Sequence, residues 1–199
     1  MHYLAILNSA CWGLFFAVWI GGALYNAFAG PRITRRGSSG GTWSWLLMGI
    51  AVYYILQISP LQPWPANFLF FSLFFHLLGA VLLVASTLFA LWARFVLGTM
   101  WSSFVVVKTD HHLRTEGPYR ITRHPIYTGI LGMILGSALS VGPWALFAPL
   151  VALAVFLGKM QREERLLQET FGQAYVKYIS QVPQLIPGWK GWSHRPTDS

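Results

Sequence analysis

Residues 124–158 read HPIYTGILGMILGSALSVGPWALFAPLVALAVFLG and contain no Lys, Arg, Asp or Glu. A helix needs roughly 20 apolar residues to cross the hydrocarbon core of a bilayer. This tract is too long for one crossing, and Gly142-Pro143 punctuates it near its middle. Such a pair stops one helix and can open the next. The spacing therefore predicts a tight hairpin of two short helices, about 126–141 and 143–160.

Two further tracts, residues 1–31 and 37–93, also lack charge. The first predicts one span, about 3–28. It has no basic n-region and is too long for the h-region of a signal peptide, so it reads as a true crossing. The second predicts two spans, about 43–60 and 67–94, broken by Pro60, Pro63 and Pro65. The total is five. The composition agrees: the 199 residues are 55% hydrophobic and 10% charged, with a net charge of +8, against about 25% charged in a soluble domain. That excludes a water-soluble globule and a disordered chain. The apolar bulk also argues against a nucleic-acid partner, despite the basic excess. Cys11 has no second cysteine to bridge, and no Cys/His cluster suggests a metal.

The cations fall into three groups: Arg32, Arg35 and Arg36; Arg94 to Arg123; and Lys159 to Arg195. With five spans and the N-terminus outside, all three groups lie on the cytoplasmic side, as the positive-inside rule requires. Four spans would strand one group outside. The expected fold is all-α: a polytopic membrane protein forming a single domain over 1–199. Residues 1–97 would be a three-helix scaffold and 98–199 the catalytic part, ending in a cytoplasmic segment that covers the site.

Two polar, Gly- and Pro-rich segments interrupt this pattern. The first runs from His111 to Gly129. Gly117-Pro118 is a turn signal, and Pro125 suits the first turn of a helix, where its missing N–H would be unpaired anyway. Arg123 and His124 then stand at the mouth of a span with Tyr127 one turn on. A helix N-terminus favours an anion, and a guanidinium fork suits a carboxylate. Farther along, Gly132-x-x-x-Gly136 permits close helix packing and is expected to let the two hairpin helices touch. Gly129, nearest the mouth, could leave room for a ligand. The second segment contains Glu163 and Glu164. Leu153, Leu157, Met160, Glu164, Leu167 and Phe171 recur at three- or four-residue steps, so Glu164 interrupts an apolar stripe. A carboxylate there needs a partner or a ligand.

Taken together, Gly-Pro-Tyr-x-x-x-Arg-His-Pro-x-Tyr-x-Gly at 117–129 and Glu-Glu-x-x-Leu-x-x-x-Phe-Gly-x-x-Tyr-x-x-Tyr at 163–178, closing with Ile186-Pro187, resemble the two signatures of the isoprenylcysteine carboxyl methyltransferases and their prokaryotic relatives. The resemblance covers about residues 98–188. It implies an integral membrane methyltransferase of about five spans that uses S-adenosylmethionine. By motif, it implies that His111, Leu113, Gly117, Tyr119, His124, Pro125, Tyr127 and Glu164 surround the cofactor. Arg123, Glu163 and Glu164 would lie closest to the reaction, and Phe171 to Pro187 would fold back over the pocket. The large N-terminal helices of eukaryotic members are missing from the pattern.

The chemistry is compatible with that placement. A water-soluble sulfonium arrives from the cytosol and a lipidic or small apolar acceptor from the membrane lipids, so the two meet at the inner face. A carboxylate acceptor needs a cation to hold it, and Arg123 is the candidate. An amine or thiol acceptor must lose a proton, for which a Glu would serve as base. The competing readings are a phospholipid amine or thiol methyltransferase, a membrane reductase using NADPH, and a transporter or scaffold. The last is disfavoured because His76 is the one ionisable group deep in a span. The oligomeric state is left open.

Overall fold

The computed structural model describes residues 2–29, 33–36, 49, 51, 69–98, 106–108 and 113–186. Its helices are α1 (His2–Ala29), α2 (Leu69–Leu97), α3 (Pro125–Val141), α4 (Phe147–Phe171) and α5 (Gln173–Gln181). Single 3₁₀ turns at Gly117–Arg120 and Pro143–Leu146 precede α3 and α4. Three helical stretches, His2–Asn26, Ser72–Leu97 and Pro143–Phe171, are long and apolar enough to cross a membrane, and the apolar Pro125–Val141 is shorter. The span expected at 43–60 lies outside the described residues, apart from positions 49 and 51. The hairpin breaks at Gly142-Pro143 as expected, and α3 begins at Pro125.

One element departs from an all-α chain. Strand β1 (Ile33–Arg36) pairs antiparallel with β2 (Val106–Lys108). Both follow a span, where β-branched Ile33, Thr34, Val106 and Val107 favour extended backbone. The pairing ties the segment after α1 to the segment leading into the first signature.

Helix α3 is the axis of the fold. Ten of its residues are buried: Pro125, Tyr127, Gly129, Ile130, Met133, Ile134, Gly136, Ser137, Ala138 and Leu139. By contrast, α1 exposes Ile6, Leu14, Phe16, Ile20 and Leu24, and α2 exposes Leu73, Leu77, Val81 and Leu88. Apolar surface of that extent suits a lipid environment.

The glycines of α3 pack against α2, not against the other arm of the hairpin. A Cβ on Gly129 would lie 2.7 Å from the Ala90 Cβ, and one on Gly136 would lie 2.7 Å from Gly79 O. Gly79 returns the contact from α2, where a Cβ would lie 2.6 Å from Gly136 O. Lipid tails are as apolar as leucine, so helices in a bilayer associate by such backbone approach rather than by hydrophobic exclusion. The expectations that this stripe joins the hairpin arms, and that Gly129 leaves space for a ligand, are both corrected. The hairpin arms instead meet through larger side chains, with the Tyr127 and Phe156 rings 4.9 Å apart. Helix α1 joins α3 through a polar contact: Trp12 Nε1 donates to Ser137 Oγ at 3.0 Å, and Ser137 Oγ donates to Asn8 Oδ1 at 2.6 Å.

Helix α4 continues past the expected span end near 160 and carries the second signature beyond the apolar part. It stops at Gly172, whose φ of +51° is costly for any residue with a Cβ. That turn sends α5 back toward the start of α3.

Candidate active site

The first signature is held in place by the chain that follows α5. Arg123 N donates to Pro183 O at 2.8 Å and His124 N to Gln184 O at 3.2 Å. Thr122 Oγ1 donates to Gln184 O at 2.6 Å, and Thr128 Oγ1 to Leu185 O at 2.9 Å. These bonds satisfy donors around the opening turn of α3, where a helix has no partners of its own. Gly117 adopts φ +56° in the turn before it, facing Val96 and Trp92 of α2. Tyr119 is buried, and its carbonyl accepts the Tyr178 hydroxyl at 2.6 Å. Burial pushes both phenols well above their ordinary range, so both stay neutral.

Glu164 is the hub. Its Oε1 accepts from Arg123 Nε at 2.9 Å, from His124 Nε2 at 3.0 Å and from Gln184 Nε2 at 3.3 Å. Burial works to raise the carboxyl's pKa, but the hydrogen bonds and charges of His124 and Arg123 outweigh it and hold the pKa at about 2. An ionised carboxylate only accepts, so the proton of the His124 contact is on Nε2. Glu163 belongs to the same cluster. Its Oε1 accepts the Tyr127 hydroxyl at 2.7 Å, and its Oε2 lies 3.7 Å from His124 Nδ1.

This linkage has a measurable sign. The Glu164 carboxyl is depressed from 4.5 to about 2 in the folded protein. Its contribution to stability is therefore complete above the unfolded value and is lost as pH falls through that window. Acid titration of the detergent-solubilised protein should show cooperative destabilisation between about pH 4.5 and 2. Glu164→Gln should flatten that part of the profile; an unchanged profile would show that Glu164 does not drive it.

Arg123 is more committed than its candidate role requires. Its side chain is 8% exposed. Nε is bonded to Glu164, and Nη1 donates to Val182 O at 2.6 Å and to Ile179 O at 3.4 Å. Nη2 has no hydrogen bond among the described residues, and neither does Glu164 Oε2. One donor edge and one acceptor edge are left over.

The structure thus brings Arg123, His124, Tyr127, Glu163 and Glu164 together, although the two signatures are about 40 residues apart in the chain. Leu113 packs with Tyr175, Tyr178 and Val182. Gly117 and Pro125 shape the backbone around this cluster. His111 lies outside the described residues. Sequence reasoning missed Gln184, for which no motif existed, and Lys159. The latter is 3% exposed, with Nζ 5.7 Å from the Tyr127 ring centroid. The first cation after an uncharged span, one turn before Glu163, was its signal.

A family model described as phospholipid methyltransferase matches residues 74–174, just over half of the chain. The chain belongs to that family. Curated proteins similar to this phospholipid methyltransferase family member include protein-S-isoprenylcysteine O-methyltransferase B of Arabidopsis thaliana. That protein is 28% identical over 113 residues, 55% of this chain and 57% of the relative. Protein-S-isoprenylcysteine O-methyltransferase of Schizosaccharomyces pombe is 35% identical over 94 residues, 45% of this chain and 40% of the relative. Methanethiol S-methyltransferase 1 of Bradyrhizobium diazoefficiens is 33% identical over 82 residues, 41% of this chain and 28% of the relative. The chain thus spans between about a quarter and somewhat over half of these relatives' own lengths. The resemblance to the isoprenylcysteine carboxyl methyltransferases drawn from the two signatures holds. The first signature and most of the second fall within the matched range.

Proposed function

We propose that the protein is an integral membrane methyltransferase that uses S-adenosylmethionine at the cytosolic membrane face. Its most fitting reaction is carboxyl O-methylation of an isoprenylcysteine-like or other lipidic acceptor. The observation that carries this reading is the convergence of both signatures on Glu164, whose single oxygen gathers Arg123, His124 and Gln184. In this reading residues 1–199 form one five-span domain, with the N-terminus outside and the C-terminus cytoplasmic.

The residues present fit the cofactor. Glu164 Oε2 supplies an ionic acceptor beside buried aromatic surface from Tyr119 and Tyr127. That combination suits a zwitterionic, cationic nucleoside. Leu113, Gly117, Tyr119, His124, Pro125 and Tyr127 would surround it, with Glu164 as its anionic contact; His111 joins them by motif alone. When bound, S-adenosylmethionine supplies an electrophilic methyl group on a sulfonium. The chain's task is then to orient and to exclude water, which can contribute on the order of 7–11 kcal/mol. Arg123 Nη2 would hold an acceptor carboxylate by one oxygen, while Glu164 fixes the plane of the guanidinium. Glu163, hydrogen-bonded to Tyr127, adds negative charge close to where the sulfonium would lie.

The likeness to a methanethiol S-methyltransferase supports a second reading, a thiol acceptor. A thiol must lose its proton, and Glu163 is the carboxylate with an oxygen not gathered into the Arg123 network.

Calorimetric titration of detergent-purified protein with S-adenosylhomocysteine and with NADPH tests the enzyme class. Binding of S-adenosylhomocysteine and not NADPH is expected. NADPH binding alone would assign a reductase, and binding of neither would remove the catalytic reading. Methyl transfer to an N-acetylated farnesylcysteine, compared with a short alkanethiol, then separates the two acceptors.

A further inference from the structure

Tyr175 is a buried polar side chain that the reading above leaves without a role. It lies on α5 and is 1% exposed, with its ring 5.9 Å from that of Tyr178. Val182 completes the cluster, and Leu113, Leu167, Phe171 and Ile179 pack around it. The other buried tyrosines of the site use their hydroxyls: Tyr178 donates to Tyr119 O and Tyr127 donates to Glu163. The Tyr175 hydroxyl has no hydrogen bond to any described residue. Its charged surroundings are Glu164, Arg123 and Glu163, the groups of the site itself. Burial together with the negative charge of Glu164 keeps the phenol neutral and hence able to donate.

The ring is enclosed, but the hydroxyl oxygen keeps some accessible surface, so it is a donor open to a ligand. Two neighbouring polar edges, Glu164 Oε2 and Arg123 Nη2, are likewise left over. Tyr175 packs with Ile179 and Val182, whose carbonyls hold Arg123, so its hydroxyl belongs to the same site as these two edges.

We propose that Tyr175 is a further cofactor-binding residue, whose hydroxyl donates a hydrogen bond to an oxygen of the bound S-adenosyl compound. This rests on the methyltransferase reading. It assigns a binding role to the first tyrosine of the second signature, and it gives α5 a direct part in holding the ligand in addition to covering it.

The test compares Tyr175→Phe, Tyr178→Phe and the unaltered protein in S-adenosylhomocysteine titrations and in thermal unfolding without ligand. Tyr175→Phe should weaken binding about three- to tenfold, the range of one neutral hydrogen bond. It should leave the ligand-free unfolding midpoint equal or higher, because no protein bond is lost. Tyr178→Phe should lower that midpoint, because its bond to Tyr119 O is removed. Unchanged affinity in Tyr175→Phe, or a lowered ligand-free midpoint, would overturn the assignment while leaving the methyltransferase reading intact. Failure of the unaltered protein to bind S-adenosylhomocysteine would overturn both.

Discussion

Arg123→Ala should reduce methyl transfer by about 10²–10³-fold or to background, the scale on which removal of a preorganised donor acts. The substitution removes three contacts at once: Nε to Glu164, and Nη1 to the carbonyls of Val182 and Ile179. It leaves the Glu164 carboxylate, 18% exposed, without its guanidinium partner. It also unfastens the segment after α5 from the first signature. Arg123→Lys should not restore activity, because one ammonium cannot reproduce a planar fork aimed at a carboxylate on one side and two carbonyls on the other. Arg120→Ala is the matched comparison: it removes an exposed cation three residues away and should leave turnover near normal. Transfer of a labelled methyl group to a farnesylcysteine acceptor measures both. Equal rates in Arg123→Ala and Arg120→Ala would remove Arg123 from the mechanism.

The second large effect is structural. Gly136→Val should destabilise the fold by about 3 kcal/mol or more, the upper range for an overpacked core. A Cβ there would lie 2.7 Å from both Gly79 O and Leu83 N. These are backbone atoms of α2 and cannot swing aside as a side-chain end could. For a chain of this size the shift in unfolding midpoint is on the order of 10 °C. Gly13→Ala is the contrast, since nothing lies within 4 Å of a Cβ at that position on the exposed side of α1; it should be close to neutral. Thermal unfolding in detergent distinguishes the two, and a Gly136→Val protein as stable as the parent would show that α2 and α3 are not in register through this stripe.

Much of this architecture was legible because lipid makes sequence unusually explicit. Uncharged tracts marked α1, α2 and the hairpin, and Gly142-Pro143 and Pro125 marked where helices change, since a ring without an N–H has few places to go. The convergence of Arg123 and His124 with Glu164 was legible from the resemblance and from a carboxylate interrupting an apolar stripe. That stripe was only half right: Leu157 is exposed, while Ala148, Ala152, Phe156 and Met160 form the packed face. What could not be read was partnership. Gly132-x-x-x-Gly136 announces a close neighbour without saying which, and the neighbour is α2, met at Ser86 and Gly79. Nor did the sequence pair Glu163 with Tyr127, because that partner is supplied by another helix. Gln184 and the carbonyls of residues 183–185 carry no sequence signal, because backbone oxygens are the same in every residue.

Those carbonyls impose an order on biogenesis. The start of α3 draws four hydrogen bonds from acceptors that are translated some 60 residues later. The spans can enter the bilayer while the ribosome is still elongating, but Arg123 and His124 have no fixed geometry until Leu185 has cleared the exit tunnel. A nascent chain halted after α4 has entered the bilayer, but before that point, would hold its helices and lack these four bonds.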